Sequence, residues 1–380
     1  MAICSHGYIL NLELYVCAGY KHWSHTQQKL YKIYSGRSMT LSGHTDDERQ
    51  IGRRGFAVRA ATLGVGAALG ALLARPTVAQ QATKTGPLNV LATIAMIGDV
   101  VKQIGGDRIR VDTLMGAGVD PHLYKATRED VARMLRADII FYNGLVLEGK
   151  MSDAIIRVAR SGRPVYAVTE LLPEDQLIEP EGAEGLYDPH VWMDPRAWSR
   201  AAALIADRLA NQDRPNATIF RRNLATLQGK IAELDAYAER TIASIPERQR
   251  VLVTAHDAFN YFSRRYGIEV LGIQGLSTES EAGVRRIQEL VSVLVTRRVP
   301  AVFVESSVSD RNVQALIEGA RAGSHRVVIG GELFSDAMGH PGTYEGTYVG
   351  MIDHNVTTVV RALGGQAPEK GMQNRLGSRA

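Results

Sequence analysis

The chain has 380 residues, 45% hydrophobic and 22% charged, with a formal net charge of +4 at pH 7. This excludes an intrinsically disordered chain, and the length accommodates two domains of ordinary size. Residues 1–79 carry nine basic and four acidic side chains, leaving 35 basic against 36 acidic elsewhere, so no basic surplus remains for nucleic-acid phosphates.

Both cysteines, Cys4 and Cys17, lie at the extreme N-terminus. Beyond them any transition-metal site must use His, Asp or Glu. Arg53-Arg54-Gly55-Phe56 opens an apolar run over residues 60–74, and Thr77-Val78-Ala79 is a small-residue cleavage signal. These are the three parts of a secretory signal peptide, and the paired arginines suggest the twin-arginine route. The run falls short of the about 20 residues that span a bilayer. The expected destination is a periplasm, with cleavage near Ala79/Gln80. No cysteine stands at the cleavage site, which speaks against a lipid anchor. Residues 1–38 carry no targeting logic, so Met39 is the expected start. Residues 1–79 are therefore read as an N-terminal extension and a cleaved signal.

Residues 80–210 read as a first α/β lobe. Strands are expected over 88–93, 110–115, 139–142 and 164–168, and helices over 96–104, 128–136 and 152–160. This alternation implies βαβ units and a mostly parallel sheet. Asp120-Pro121-His122 follows the second strand and a Gly116-Ala117-Gly118 turn. His122 thus sits just past a strand's carboxyl end, where open α/β sheets place their ligand crevice. A second triplet, Asp188-Pro189-His190, follows an acidic stretch over 173–186 that holds no histidine.

Residues 211–247 read as a linking helix. Over 215–245 there is no internal proline, and Ile219, Leu224, Leu227, Ile231, Leu234 and Tyr237 keep a helical period. A single helix that long, rising about 1.5 Å per residue, spans a domain and restrains hinge motion. Residues 248–380 read as a second α/β lobe. Its strands are expected over 250–254, 268–273, 301–304 and 326–329. Its helices are expected after His256 to about Gly267, over 287–297, and over 349–363. His256, Glu305 and Asp336 fall at or soon after strand ends.

His122, His190, His256 and Asp336 thus occupy equivalent places, two in each lobe. Three imidazoles and one carboxylate suit Zn²⁺ or Mn²⁺. His340 and His354 stand close enough in sequence to compete for the fourth position. Asp194 and Glu305 can orient ligand imidazoles or lie on the surface. Asp120 and Asp188, each before a proline, are good turn residues.

At this point the chain resembles the zinc- and manganese-binding solute-binding proteins of ABC importers, the TroA-like group. The resemblance covers residues 87–365. It is carried by Val119-Asp120-Pro121-His122, Ala137-Asp138, Tyr142-Asn143-Gly144-Leu145, Leu147-Glu148, Asp188-Pro189-His190-Val191-Trp192-Met193-Asp194, Thr254-Ala255-His256-Asp257-Ala258-Phe259 and Ser335-Asp336-Ala337-Met338. It implies two lobes joined by one long rigid helix, with one metal between them. It also maps the four ligands onto His122, His190, His256 and Asp336, choosing Asp336 over Asp353 or His340. Two departures bear on the metal. The His-rich loop of many zinc-specialised members is replaced by the acidic 173–186 stretch, and the glutamate of many manganese-specialised members is His256 here.

The expectation is a monomeric periplasmic protein, not an enzyme, that captures manganese or zinc and delivers it to a membrane permease. The rival reading is an exported zinc hydrolase with Glu305 as base. That would need an open coordination position, and no His-Glu-x-x-His pattern supports it. A surface adhesin is a third reading, disfavoured by the lack of a lipid anchor.

Overall fold

Residues 86–180 and 185–379 are described by a computed structural model. The chain divides into units 1–83 and 84–380, and the fold below belongs to the second. The Arg53-Arg54 signal, the cleavage site and the Met39 start lie outside the described residues.

The first half runs β1 (Leu88–Ile94), α1 (Ala95–Gly105), β2 (Ile109–Met115), α2 (Arg128–Arg136), β3 (Ile139–Tyr142), α3 (Ser152–Arg160) and β4 (Val165–Ala167). These strands form one all-parallel sheet in the order β2-β1-β3-β4. Central β1 is buried at every position but Asn89, as its near-continuous apolar run requires of a strand covered on both faces. α2 begins at Thr127, whose hydroxyl accepts from the Asp130 amide while the Asp130 carboxylate accepts from the Thr127 amide. This reciprocal cap contributes about 1 kcal/mol and fixes where the long β2–α2 loop ends.

Two helices follow, α4 (Pro195–Gln212) and α5 (Ala217–Ile242). α5 is the linking helix, 26 residues and therefore about 39 Å long. It packs on α1 and α4 of the first half and on α9 (Tyr348–Ala362) of the second. α4 was not among the expected elements, although Asp194 followed by Pro195 is a helix-start signal.

The second half continues β5 (Val251–Thr254), α6 (Asn260–Tyr266), β6 (Glu269–Gly272), α7 (Val284–Arg297), β7 (Ala301–Glu305), α8 (Arg311–Ala322) and β8 (Val328–Leu333). Its strands form two parallel pairs, β5-β6 and β7-β8, with β5 lying beside β7. The last strand starts later and runs further than expected from 326–329, because Gly330 and Gly331 interrupt its apolar pattern. At Gly331 φ is +151°, and the register slips between Val302 and Phe303. A β-carbon there would meet the Thr358 side chain, so only glycine fits the slip. α8 was likewise not anticipated.

The apolar core is not divided between the halves. One cluster runs from β1 and α1 through Leu227, Ile231 and Leu234 of α5 into Tyr261, Phe262, Val356 and Val360 of α6 and α9. A smaller one, including Val251, Val253, Leu290, Leu294, Val302 and Leu316, belongs to the second half alone. Alternate residues of β5 and β7 face the two clusters, Leu252 and Phe303 one way, Val253 and Val302 the other.

Candidate metal centre

Each Asp-Pro-His triplet builds the same local device. Proline fixes one backbone angle, and the aspartate folds back so that its Oδ1 accepts the histidine's amide. That bond is 2.8 Å in both copies, Asp120 to His122 and Asp188 to His190. In the first copy Gly118, at φ +71°, turns the chain towards Ser306 of the second half. In the second, Asp188 Oδ1 also lies 2.8 Å from His190 Nδ1. Asn143 donates 3.0 Å to the Pro189 carbonyl, and Asn143 is itself held by buried Glu148, which accepts from the Asn143 and Gly144 amides and the Thr93 hydroxyl. This anchorage lets the loop hold Leu145 and Val146 at positive φ.

His256 follows directly on β5. Glu305, ending neighbouring β7, accepts the His256 amide at 2.9 Å and lies 2.5 Å from its Nδ1. Asp336 follows β8, whose end is bracketed by Asn355 of α9 through both polar groups of Phe334. Trp192 donates 2.8 Å to the Ser335 carbonyl, while its ring meets His190 edge-on at 5.3 Å. The two halves are thus tied at the residues flanking two of the four convergent side chains.

The structure brings His122, His190, His256 and Asp336 together, all buried, with one donor atom of each within 4.8 Å of the others. His190 and His256 turn Nδ1 outward to a carboxylate and Nε2 inward. Asp336 Oδ1 lies 3.3 Å from His190 Nε2, and its Oδ2 lies 3.1 Å from His256 Nε2 and 3.5 Å from His122 Nε2. His122 and His190 Nε2 are 3.4 Å apart. His256 Nε2 and both Asp336 oxygens are buried yet meet no partner in hydrogen-bonding geometry. Buried polar atoms without a well-formed hydrogen bond are costly unless something else fills the centre. A cation accepting one lone pair from each residue would do so, with the outward Nδ1–H groups already held by carboxylates.

Burial pushes His122 down to about 4, so it is neutral at pH 7. Burial also opposes charge on His190 and His256, but Asp188 and Asp336 raise the former to about 9, and Glu305 and Asp336 hold the latter well above its usual value. Against its own burial, Asp336 is kept well below the carboxylate range by His256 and His190.

Several expected alternatives are placed elsewhere. His354 bonds the Glu332 carbonyl and lies against Phe334, and neither it nor His340 joins the cluster. Asp353 binds Tyr344, Thr357 and the Met372 amide, securing the C-terminal segment. The described bonds of Asp194 go to the Arg196 and Ala197 amides, capping α4, and the place expected for it beside an imidazole is taken by Asp188. Glu305 is committed through both oxygens to His256 and buried, so it has no free oxygen with which to activate a water, and the hydrolase reading is withdrawn. Sequence reasoning missed Asp188 as an imidazole partner. The signal was the triplet itself, read only as a turn.

The family described as the periplasmic component A of zinc-uptake complexes matches residues 90–362. The manganese-binding lipoprotein MntA of Bacillus subtilis is 46% identical over 276 residues, covering 73% of this chain and 90% of its own. The zinc-binding protein TroA of Treponema pallidum is 47% identical over 284 residues, 75% of this chain and 91% of its own. The solved structure of that periplasmic zinc-binding protein superposes with a TM-score of 0.71 at 47% identity, over 73% of this chain and 99% of its own.

Proposed function

The chain belongs to this family of periplasmic metal-uptake components, and on that premise we propose that it captures Mn²⁺ or Zn²⁺ and hands the ion to an ABC permease for import. The observation that carries the reading is the convergence of three imidazole nitrogens and the Asp336 carboxylate on a buried point where His256 Nε2 and both Asp336 oxygens make no well-formed hydrogen bond. His122, His190, His256 and Asp336 are the proposed ligands of one ion. Asp188 and Glu305 set the rings of His190 and His256.

With four protein donors the ion has no open position for a reacting water, which favours cargo over catalysis. The donor set binds Zn²⁺ more tightly than Mn²⁺ by the Irving–Williams order, so manganese uptake would depend on supply. The two relatives differ in the metal they are named for at nearly equal identity, and they leave that choice to the donor chemistry.

The proposed organisation is a first lobe over 80–210, a linking helix over 211–247 and a second lobe over 248–380, acting as a monomer in the periplasm after cleavage near Ala79. Among the described residues no helix is long and apolar enough to cross a membrane. The Arg53-Arg54 pair supports twin-arginine export, and unchanged export of an Arg53→Lys, Arg54→Lys variant would place the protein on the general secretory route.

The functional test is titration of metal-stripped protein with Zn²⁺ and Mn²⁺, separately and in competition. One ion per chain with Zn²⁺ displacing Mn²⁺ is expected. Binding of neither ion, or full affinity in either His122→Ala or Asp336→Ala, overturns the assignment.

A further inference from the structure

The mouth of the site lies on the side of His122. His122 is 4% exposed, against 0% for His190 and His256 and 2% for Asp336. On this side the second half reaches over with residues 273–283, the irregular segment between β6 and α7. Arg286 clamps the base of that segment by donating twice to the Gly272 carbonyl, and Gln274 donates to the Ser280 carbonyl. Thr278, held between, donates its hydroxyl to Asp120 Oδ2 at 2.6 Å.

The acceptor already has a task. The other oxygen of Asp120 holds the His122 amide at 2.8 Å and reaches the Leu123 amide at 3.4 Å. One carboxylate therefore grips both the loop that carries a ligand and the opposite half of the molecule. Outside the four-residue cluster, this is the one side-chain hydrogen bond from residues 116–125 to the second half among the described residues. Nearby, Lys150 approaches Glu279 at 3.9 Å, a part-exposed pair worth little in water.

The side of His190 is built differently. There Asn260, Tyr261 and Arg264 of α6 donate to Asp188 Oδ2, the Asp188 carbonyl and the Gln176 carbonyl, at 3.1, 2.9 and 2.8 Å. The Tyr261 hydroxyl also accepts from the Ile178 amide. Both Asp-Pro-His aspartates reach across to the second half, but one side is secured by several bonds from a helix and the other by one bond from a loop. Separation costs least where the single bond is.

We propose that Thr278 and Asp120 form the latch of the metal site: Asp120 is a positioning residue whose bond to Thr278 couples closure over the ion to the placement of His122. The inference rests on the metal-binding reading above. When the bond breaks, residues 273–283 lift from the mouth and the His122 loop loses its tie to the second half. The latch therefore governs how long the ion is held.

The test is the rate at which Zn²⁺-loaded protein gives up its ion to excess chelator, read with a zinc dye, in wild type, Thr278→Val and Thr278→Ser. Valine keeps the shape and removes the donor, and serine restores the donor. Losing a hydrogen bond to a carboxylate predicts release about tenfold faster in Thr278→Val. Thr278→Ser is expected near the wild-type rate, and amides of residues 275–281 in loaded Thr278→Val are expected to exchange faster with deuterium. Wild-type release by Thr278→Val, or equally fast release by Thr278→Ser, overturns the latch while leaving the site intact. A wild-type protein that retains no Zn²⁺ removes the latch together with the function it serves.

Discussion

Glu305→Gln separates the part of the site that holds the fold from the part that holds the metal. In the native protein both donors of His256 on that side, its amide and Nδ1–H, end on the Glu305 carboxylate. Glutamine has the same shape but one acceptor and one donor. Whichever way it turns, its NH₂ faces an N–H at a buried position, leaving one donor unmet. That costs the metal-free protein about 1–3 kcal/mol. The lost negative charge acts separately, making His256 a poorer donor and weakening the hold on its ring. Losses of this kind reduce metal affinity about ten- to hundredfold. The assay pairs urea unfolding of the metal-free protein with competition against a chromophoric chelator. Reduced stability with wild-type affinity would show that Glu305 only supports the β5–β7 junction, and the reasoning about imidazole orientation would fail.

Other outcomes follow from the same contacts. Asp194→Ala should lower stability by about 1 kcal/mol through loss of the α4 cap, with unchanged metal affinity, because its described bonds go to amides and not to an imidazole; weakened binding in the chelator assay would contradict that. Asp235 of α5 accepts from Arg196 of α4 and from Arg265 and Tyr266 of α6, so Asp235→Ala leaves the half-buried Arg265 with Glu239 alone and should cost about 2 kcal/mol in urea unfolding. Since α4 and α6 begin shortly after His190 and His256, the same variant should also bind metal more weakly, and preserved affinity would show that spacing is set elsewhere. With His190 raised to about 9 and His256 also raised, ion binding near pH 7 must expel their protons, so apparent affinity falls as pH falls, by about tenfold per pH unit for each proton expelled. Calorimetry in buffers of unlike ionisation heat detects this release, and its absence would refute the charge states. For the metal-free protein the sign reverses. The stability contributed by His190 is complete below about pH 6.5 and lost as pH rises through about 9, so its unfolding midpoint should decline over that range.

The elements that position the site were legible because their signals are local. β1, β3 and the linking helix follow from their apolar pattern and from Gly or Pro at their ends, and α2 from its helical period alone. His122 and His190 stood out as a repeated triplet and His256 as a residue past a strand end, whereas Asp336 was singled out from Asp353 and His340 by the family motif. What stayed hidden depends on partners distant in sequence. Asp188 is an ordinary turn residue until His190 folds back onto it. Trp192 gives no hint that its indole will meet the Ser335 carbonyl, 143 residues on. Asp188 lies two residues before His190 and Asp194 four after it, and which of them faces the imidazole depends on where α4 starts. β8 was misplaced because a glycine pair that permits a register slip looks in sequence like a strand end.

The shared core changes what movement in this molecule can be. Two lobes with separate cores could swing apart about a linker. Here α6 and α9, which lie in the second half by sequence, bury their apolar faces in the same cluster as β1, α1 and α5. Parting them from the first half would expose Tyr261, Phe262, Val356 and Val360 together, and each fully exposed side chain of this size costs about 1.5–3 kcal/mol. A single hydrogen bond at the mouth is far cheaper to break. The segment free to respond is therefore the rim of the second half, residues 273–283 and the smaller core behind them, while α6 keeps Asp188 and His190 in place. Capture and release become a matter of loosening one ligand loop against a fixed frame, which suits a protein that must hold an ion tightly and still surrender it.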